Sequence, residues 1–237
     1  MKKSEVRAQI EQIGIIPSIR LSSAEDAHFA AEAVTRGGIP IVEITMTVPG
    51  AIDVISHLAK FHPQLLVGAG TVTSVETARQ CVGAGAAFLT SSGFKPLIVE
   101  YAAKEEVAVL PGALTPTEIL AAWEAGADLV KVFPCSQVGG EGYIRAVKNS
   151  LPDIPLVAAG GVTQFTAANF ILSGACAIGV GSELIPPEAI ERRQGDRIQE
   201  LASRFTEFVK QAREKVAAGT RRASRRKRSD IEQCEAQ

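Results

Sequence analysis

Two charged residues, each set inside an otherwise apolar run, are the groups in this chain best placed to do chemistry. The first is Lys131, in Asp128-Leu129-Val130-Lys131-Val132-Phe133-Pro134. A strand shows alternate side chains to opposite faces, so Leu129, Lys131 and Phe133 share one face and Val130 and Val132 the other. Burial without a close carboxylate disfavours an ammonium and frees the amine as a nucleophile. The second is Glu43, in Val42-Glu43-Ile44-Thr45-Met46-Thr47. Period-2 alternation puts Val42, Ile44 and Met46 on one face and Glu43, Thr45 and Thr47 on the other. A carboxylate turned inward is expensive unless something uses it. Competing readings are a lysine that snorkels from a strand end and a structural ion pair of Glu43 with Arg20 or Lys131.

An amine and a carboxylate projecting into one cavity suit Schiff-base aldol chemistry. The amine condenses with a ketone, the iminium accepts electrons from the adjacent carbon–carbon bond, and the carboxylate moves protons. Phe133 and Leu110 are expected to shield the cavity from bulk water.

Such groups need a scaffold that brings distant strands to one point. Short β-branched runs at Ile15–Arg20, Ile41–Thr47, Leu66–Thr71, Ala87–Ser91, Ala108–Pro111, Leu129–Phe133, Leu156–Ala159 and Ala177–Val180 alternate with amphipathic stretches such as Ala24–Thr35, Ala51–Phe61, Val75–Gly83, Lys95–Lys104 and Pro116–Glu124. Helix-start signals recur at Ser22 or Ser23, at Thr73 or Ser74, and at Thr115-Pro116. Eight strands matched to eight crossovers predict an α/β fold, a (β/α)8 TIM barrel. An open doubly wound sheet announces itself with a glycine-rich turn after its first strand; here that strand runs into Leu21-Ser22-Ser23. An extra helix near Val6–Ile13 precedes the first strand and is expected to plug the barrel floor, and a long amphipathic helix around Arg197–Val216 closes the globular part. The expected organisation is one barrel domain over 1–218 and a disordered basic tail over 219–237, because Arg221–Arg228 has high charge density and no apolar periodicity.

A barrel of this kind carries its site at the C-terminal mouth. There Gly160-Gly161-Val162 follows the seventh strand and Gly179-Val180-Gly181-Ser182 ends the eighth. Loops in those positions present backbone N–H groups and a short helix N-terminus to an anion, which favours a phosphorylated substrate.

Composition narrows the partners. A formal net charge of −1 gives no whole-molecule argument for nucleic acid or a membrane surface, which leaves a small molecule. Cys81, Cys135, Cys176 and Cys234 form no CxxC pair, so neither a zinc site nor a disulfide framework is indicated, and Cys135 reads as a packing residue. The N-terminus breaks into charges at Lys2, Lys3 and Glu5 before an apolar leader could form, and no apolar run approaches membrane length, so a cytoplasmic location is expected.

These residues resemble the bacterial 2-keto-3-deoxy-6-phosphogluconate (KDPG) and 4-hydroxy-2-oxoglutarate aldolases. The resemblance spans roughly Ile15 to Pro186 and rests on Val42-Glu43-Ile44-Thr45, Val67-Gly68-Ala69-Gly70-Thr71-Val72, Leu110-Pro111-Gly112, Lys131-Val132-Phe133-Pro134, Gly160-Gly161-Val162 and Gly181-Ser182. It implies a metal-independent class I aldolase with no cofactor, acting on a phosphorylated keto acid and pyruvate as a homotrimer. It further implies Lys131 as Schiff-base lysine, Glu43 as general acid/base, and Thr71 as a hydroxyl holding the pyruvoyl carboxylate. Gly160, Gly161 and Ser182 fall on the phosphate contacts, and Arg20 on an arginine near the catalytic glutamate. Three positions depart from the pattern. Thr47 stands where many members have an arginine, Ser92 where a proline is usual, and Ala159 where a threonine is usual. The last loses a hydroxyl beside the phosphate-bearing half, worth about 1–3 kcal/mol if it bonded a buried substrate group, which bears on acceptor preference.

Three rivals remain open. A metal-dependent lyase needs convergent ligands, whereas His28, His57 and His62 are expected on or beside outer helices. A silent phosphate-binding barrel would have no use for inward Lys131 and Glu43. Nucleic-acid binding would run through Arg221–Arg228.

Overall fold

The computed structural model describes the backbone of residues 1–235 and the side chains of residues 1–219. Helix α1 (Lys3–Ile13) leads into β1 (Ile15–Ile19), after which helices and strands alternate. Next come α2 (Ala24–Arg36), β2 (Ile41–Thr45), α3 (Ala51–Phe61), β3 (Leu66–Gly70), α4 (Val75–Gly83) and β4 (Phe88–Thr90). They are followed by α5 (Pro96–Lys104), β5 (Ala108–Leu110), β6 (Gly112–Ala113), α6 (Pro116–Glu124) and β7 (Val130–Val132). The chain ends with α7 (Gly140–Ser150), β8 (Leu156–Ala159), α8 (Ala167–Leu172), β9 (Ala177–Val180), α9 (Pro187–Glu191) and α10 (Gly195–Glu235). The tail assigned to 219–237 lies, from residue 220 on, outside the residues whose side chains are described.

All strand pairs are parallel, in the order β5-β4-β3-β2-β1-β9-β8-β7-β6. β5 and β6 are one barrel strand broken at Pro111, which has no N–H to give to a ladder. Its carbonyl still accepts from Lys131 N at 3.0 Å, and Asp128 N→Val109 O and Phe133 N→Ala113 O, each 3.0 Å, complete the seam. The eight-stranded barrel therefore closes at the strand that carries Lys131.

Local chemistry explains the helix starts. Ser23 and Ser74 accept from the backbone N–H of Asp26 and Thr77 at 3.1 and 3.0 Å, and Thr115 forms a reciprocal capping box with Glu118; such caps contribute ~1 kcal/mol each. α1 touches β5 and β9 and buries Val6 and Ile10, as expected for a helix across the barrel floor. α10 packs on α8 and α2 and buries Ile198, Ala202, Phe205, Val209 and Ala212. Inside the barrel the alternation holds: Val42 and Ile44 are buried toward the helices, while the fully buried Phe88, on the phase of Thr90 and Ser92, fills the interior below the mouth.

Candidate active site

A cavity of about 440 Å³ opens at the C-terminal ends of the strands, within the range of small-molecule sites. It is lined by Arg20, Glu43, Thr71, Lys131, Phe133, Gly160, Gly161 and Ser182. These are the eight residues singled out in the sequence, and they come from β1, β2, β3, β7, β8 and β9 or the loops just after them. Ile16, Val157 and Leu110 add apolar wall.

Lys131 and Glu43 meet in the interior. Lys131 Nζ lies 3.5 Å from Glu43 Oε2, with side chains 12% and 3% exposed. The premise that Lys131 is buried without a close carboxylate is therefore corrected: tertiary closure brings Glu43 to it from β2. Two hydroxyls hold the carboxylate from either side. Ser18 Oγ donates to Oε1 at 2.7 Å and Thr90 Oγ1 to Oε2 at 2.6 Å, while Lys131 Nζ donates to Thr90 Oγ1 at 3.4 Å. Burial alone pushes the Glu43 carboxyl up; the Lys131 charge and the hydrogen bonds from Thr90, Ser18 and Lys131 outweigh it, so the net shift is downward. Phe133 packs its ring 5.7 Å from Lys131 Nζ.

Gly70 makes room for this arrangement. A Cβ there would lie 2.3 Å from Glu43 Oε1 and 2.5 Å from its Cδ, so no larger residue fits beside the carboxylate. The following residue, Thr71, has φ of 59°. A β-branched side chain in the left-handed region costs about 1–3 kcal/mol, strain that tends to persist at functional sites. It puts the Thr71 hydroxyl at the rim, where Arg20 donates to it at 3.0 Å and to Thr47 Oγ1 at 3.3 Å. Arg20 thus pairs with hydroxyls rather than with Glu43, and a guanidinium stands over the mouth although position 47 carries no arginine.

On the opposite wall Gly160 has φ of 89°, and a Cβ on it would reach Pro134 Cα at 2.8 Å. Both geometry and space demand glycine. Ser136 Oγ donates to Gly161 O at 2.8 Å and fixes this loop. The expected helix N-terminus beyond Ser182 is not adjacent: residues 182–185 form a turn and α9 begins at Pro187. Any anion grip there relies on loop backbone.

Ser18, Thr90 and Glu183 also line the cavity and were not singled out; Ser92, noted only as a departure from the family pattern, lines it as well. For Ser18 and Thr90 a signal existed: each lies two residues before another inward-facing position, Arg20 and Ser92. Cys135 is buried outside the lining, its thiol pushed up to about 11 by burial, consistent with a packing role. His28 and His57 lie on α2 and α3 and His62 caps α3, with the His28 and His57 rings 4.6 Å apart, away from the mouth. Among the described residues no cluster of three metal-ligating side chains occurs, and no helix is long and apolar enough to cross a membrane.

Residues 6–201 match the KDPG and KHG aldolase family. The chain is 30% identical over 200 residues to 2-dehydro-3-deoxy-phosphogluconate aldolase of Treponema pallidum, covering 84% of this chain and 95% of that protein. It is 33% identical over 175 residues to a probable 2-dehydro-3-deoxy-6-phosphogalactonate aldolase of Rhizobium meliloti, covering 73% and 82%. Its fold superposes with a TM-score of 0.77, at 30% identity and over 83% of this chain and 96% of the other, on KDPG aldolase from Legionella pneumophila with pyruvate captured as a covalent carbinolamine intermediate. A match over most of the length, on a fold whose inward lysine and glutamate meet at the barrel mouth, identifies this chain as a member of the KDPG and KHG aldolase family.

Proposed function

We propose that this protein is a class I aldolase that reversibly splits a 2-keto-3-deoxy sugar acid 6-phosphate, 2-keto-3-deoxy-6-phosphogluconate first, into pyruvate and glyceraldehyde 3-phosphate. The observation that carries the reading is the sheltered pairing of Lys131 Nζ with Glu43 Oε2 at 3.5 Å. Lys131 attacks the C2 ketone, and Glu43 supplies the proton with which water leaves the carbinolamine. The iminium then draws in the electrons of the C3–C4 bond while Glu43 takes the proton of the C4 hydroxyl. Reprotonation of the enamine at C3 and hydrolysis of the imine release pyruvate. Arg20 and Thr71 face the substrate carboxylate, Phe133 excludes water, and Gly160, Gly161 and Ser182 hold the phosphate through loop N–H groups. The capture of pyruvate in the Legionella pneumophila enzyme supports the covalent step. No metal or cofactor enters this scheme. A homotrimer, implied by family likeness, is part of the proposal, and a solution mass three times the 25.0 kDa subunit tests it.

A second reading, the 6-phosphogalactonate epimer as preferred substrate, is favoured by the Rhizobium meliloti relative. Assaying pyruvate release from both phosphorylated acids, and from their unphosphorylated counterparts, ranks the substrates. Borohydride reduction in the presence of pyruvate is expected to add mass at Lys131 and nowhere else. Lys131→Ala is expected to remain folded, to lose the adduct and to drop turnover by at least ~1000-fold. An adduct on another lysine, or none, removes the mechanism.

A further inference from the structure

Thr90 is the least expected member of the site. It is 1% exposed at the end of β4, and its hydroxyl touches both reacting groups. A hydroxyl has one proton to donate and two lone pairs to accept with. Thr90 Oγ1 spends its proton on Glu43 Oε2 at 2.6 Å and accepts from Lys131 Nζ at 3.4 Å. The direct Lys131–Glu43 separation of 3.5 Å and the Lys131–Thr90 leg of 3.4 Å both exceed the ~2.7–2.9 Å of a charge-assisted N–H···O bond, whereas the Thr90–Glu43 leg is short at 2.6 Å. Ser18 donates to the other carboxylate oxygen at 2.7 Å, so Glu43 is held with Oε2 turned to Thr90.

We propose that Thr90 is a further catalytic residue, a hydroxyl relay that carries protons between Lys131 Nζ and Glu43 Oε2, with Ser18 as the positioning residue that keeps Oε2 aligned. In the forward direction the N–H bond of the Lys131 ammonium breaks as its proton passes to Thr90 Oγ1, while the Thr90 O–H proton passes to Glu43. The products are a neutral amine, a neutral carboxylic acid and an unchanged threonine hydroxyl, so charge and protons balance. Dehydration of the carbinolamine uses the same acid proton in return. A methyl group at position 90 removes the short 2.6 Å leg to Glu43 Oε2 and leaves only the direct 3.5 Å path.

This inference rests on the aldolase reading, and the experiment separates the two. The rate of borohydride-trappable imine formation is measured over a range of pyruvate concentrations up to saturation for the wild type, Thr90→Val and Thr90→Ser, with thermal unfolding recorded alongside. Wild-type protein that never traps pyruvate defeats the aldolase reading itself. With trapping established, Thr90→Val is expected to slow imine formation roughly 10- to 100-fold, at a pyruvate concentration dependence close to wild type. Thr90→Ser is expected to recover most of that loss. Thr90→Val trapping at the wild-type rate overturns the relay, as does Thr90→Ser as slow as Thr90→Val at equal thermal stability. If Thr90→Val does not fold, Thr90→Ala against Thr90→Ser gives the same comparison with the same two outcomes.

Discussion

Replacing Gly70 with alanine should impair the site without replacing any group that does chemistry. An alanine Cβ would sit 2.3 Å from Glu43 Oε1 and 2.6 Å from its Cγ. Restoring an ordinary contact of ~3.5 Å moves the carboxylate by more than about 1 Å. The bonds from Ser18 and Thr90, now 2.7 and 2.6 Å, then stretch beyond hydrogen-bonding range. Each is a bond to a charged group worth ~1.5–3 kcal/mol. Alanine returns ~0.4–1 kcal/mol by restricting the unfolded chain, so a net loss of about 2–5 kcal/mol is expected. At ~2–4 °C per kcal/mol for a chain of this size, the melting temperature falls by roughly 4–20 °C. Misplacing the proton carrier by 1 Å should lower kcat about 100-fold. Calorimetry reads the first figure and coupled detection of released pyruvate the second. The decisive control is Glu43→Ala. On that background there is no carboxylate to displace, so Gly70→Ala should cost less than ~1 kcal/mol and the two substitutions should show strong coupling. An equal cost on both backgrounds would refute the reasoning and assign the loss to the β3 backbone.

Two further outcomes follow from the same geometry. The net downward shift of the Glu43 carboxyl means that the unfolded chain takes up this proton first as pH falls. Its contribution is therefore complete above about pH 5 and is lost as pH drops through the folded value. Urea midpoints for wild type and Glu43→Gln should differ most near neutrality and converge in acid; a gap constant from pH 7 to pH 3 contradicts the pairing. Arg20→Ala leaves Thr47 and Thr71 without their shared donor. If the guanidinium grips the substrate carboxylate, KM rises roughly 10- to 100-fold with a smaller change in kcat, in line with a lost charge-assisted bond of ~1.5–3 kcal/mol; an unchanged KM argues that Arg20 only braces the rim.

How far the sequence discloses this site follows from which physical constraints are local. Strand alternation is a local property, so the inward phase of Glu43 and of Lys131 can be read from five or six residues, and the closed cavity then holds both. The barrel is legible for the same reason, since β-branched runs and helix caps are spelled out within each element. Pro111 marks the boundary of that logic. The run Ala108–Pro111 reads as one ordinary strand, yet the barrel strand continues to Ala113, because a proline that cannot donate still accepts from Lys131 N. Partnership across strands is not local. The carboxylate nearest Lys131 in the chain, Asp128, is engaged by Lys3 and by the N–H of Val109, and only closure puts Glu43 beside the amine. Ser18 faces Glu43 in the β1–β2 register, and Thr90 reaches it from two strands away. A serine or threonine in a strand is commonplace, so neither hydroxyl carries a signal by type. What distinguishes them is that a buried carboxylate needs its lone pairs filled. Once Glu43 is placed inward, donors for both oxygens must exist on nearby strands at the same height, and the inward serine of β1 and threonine of β4 are candidates that satisfy it. The hydroxyls that position the acid are thus a consequence of burying it, and a reading that follows the unmet hydrogen bonds of each inward charge reaches them before any coordinates do.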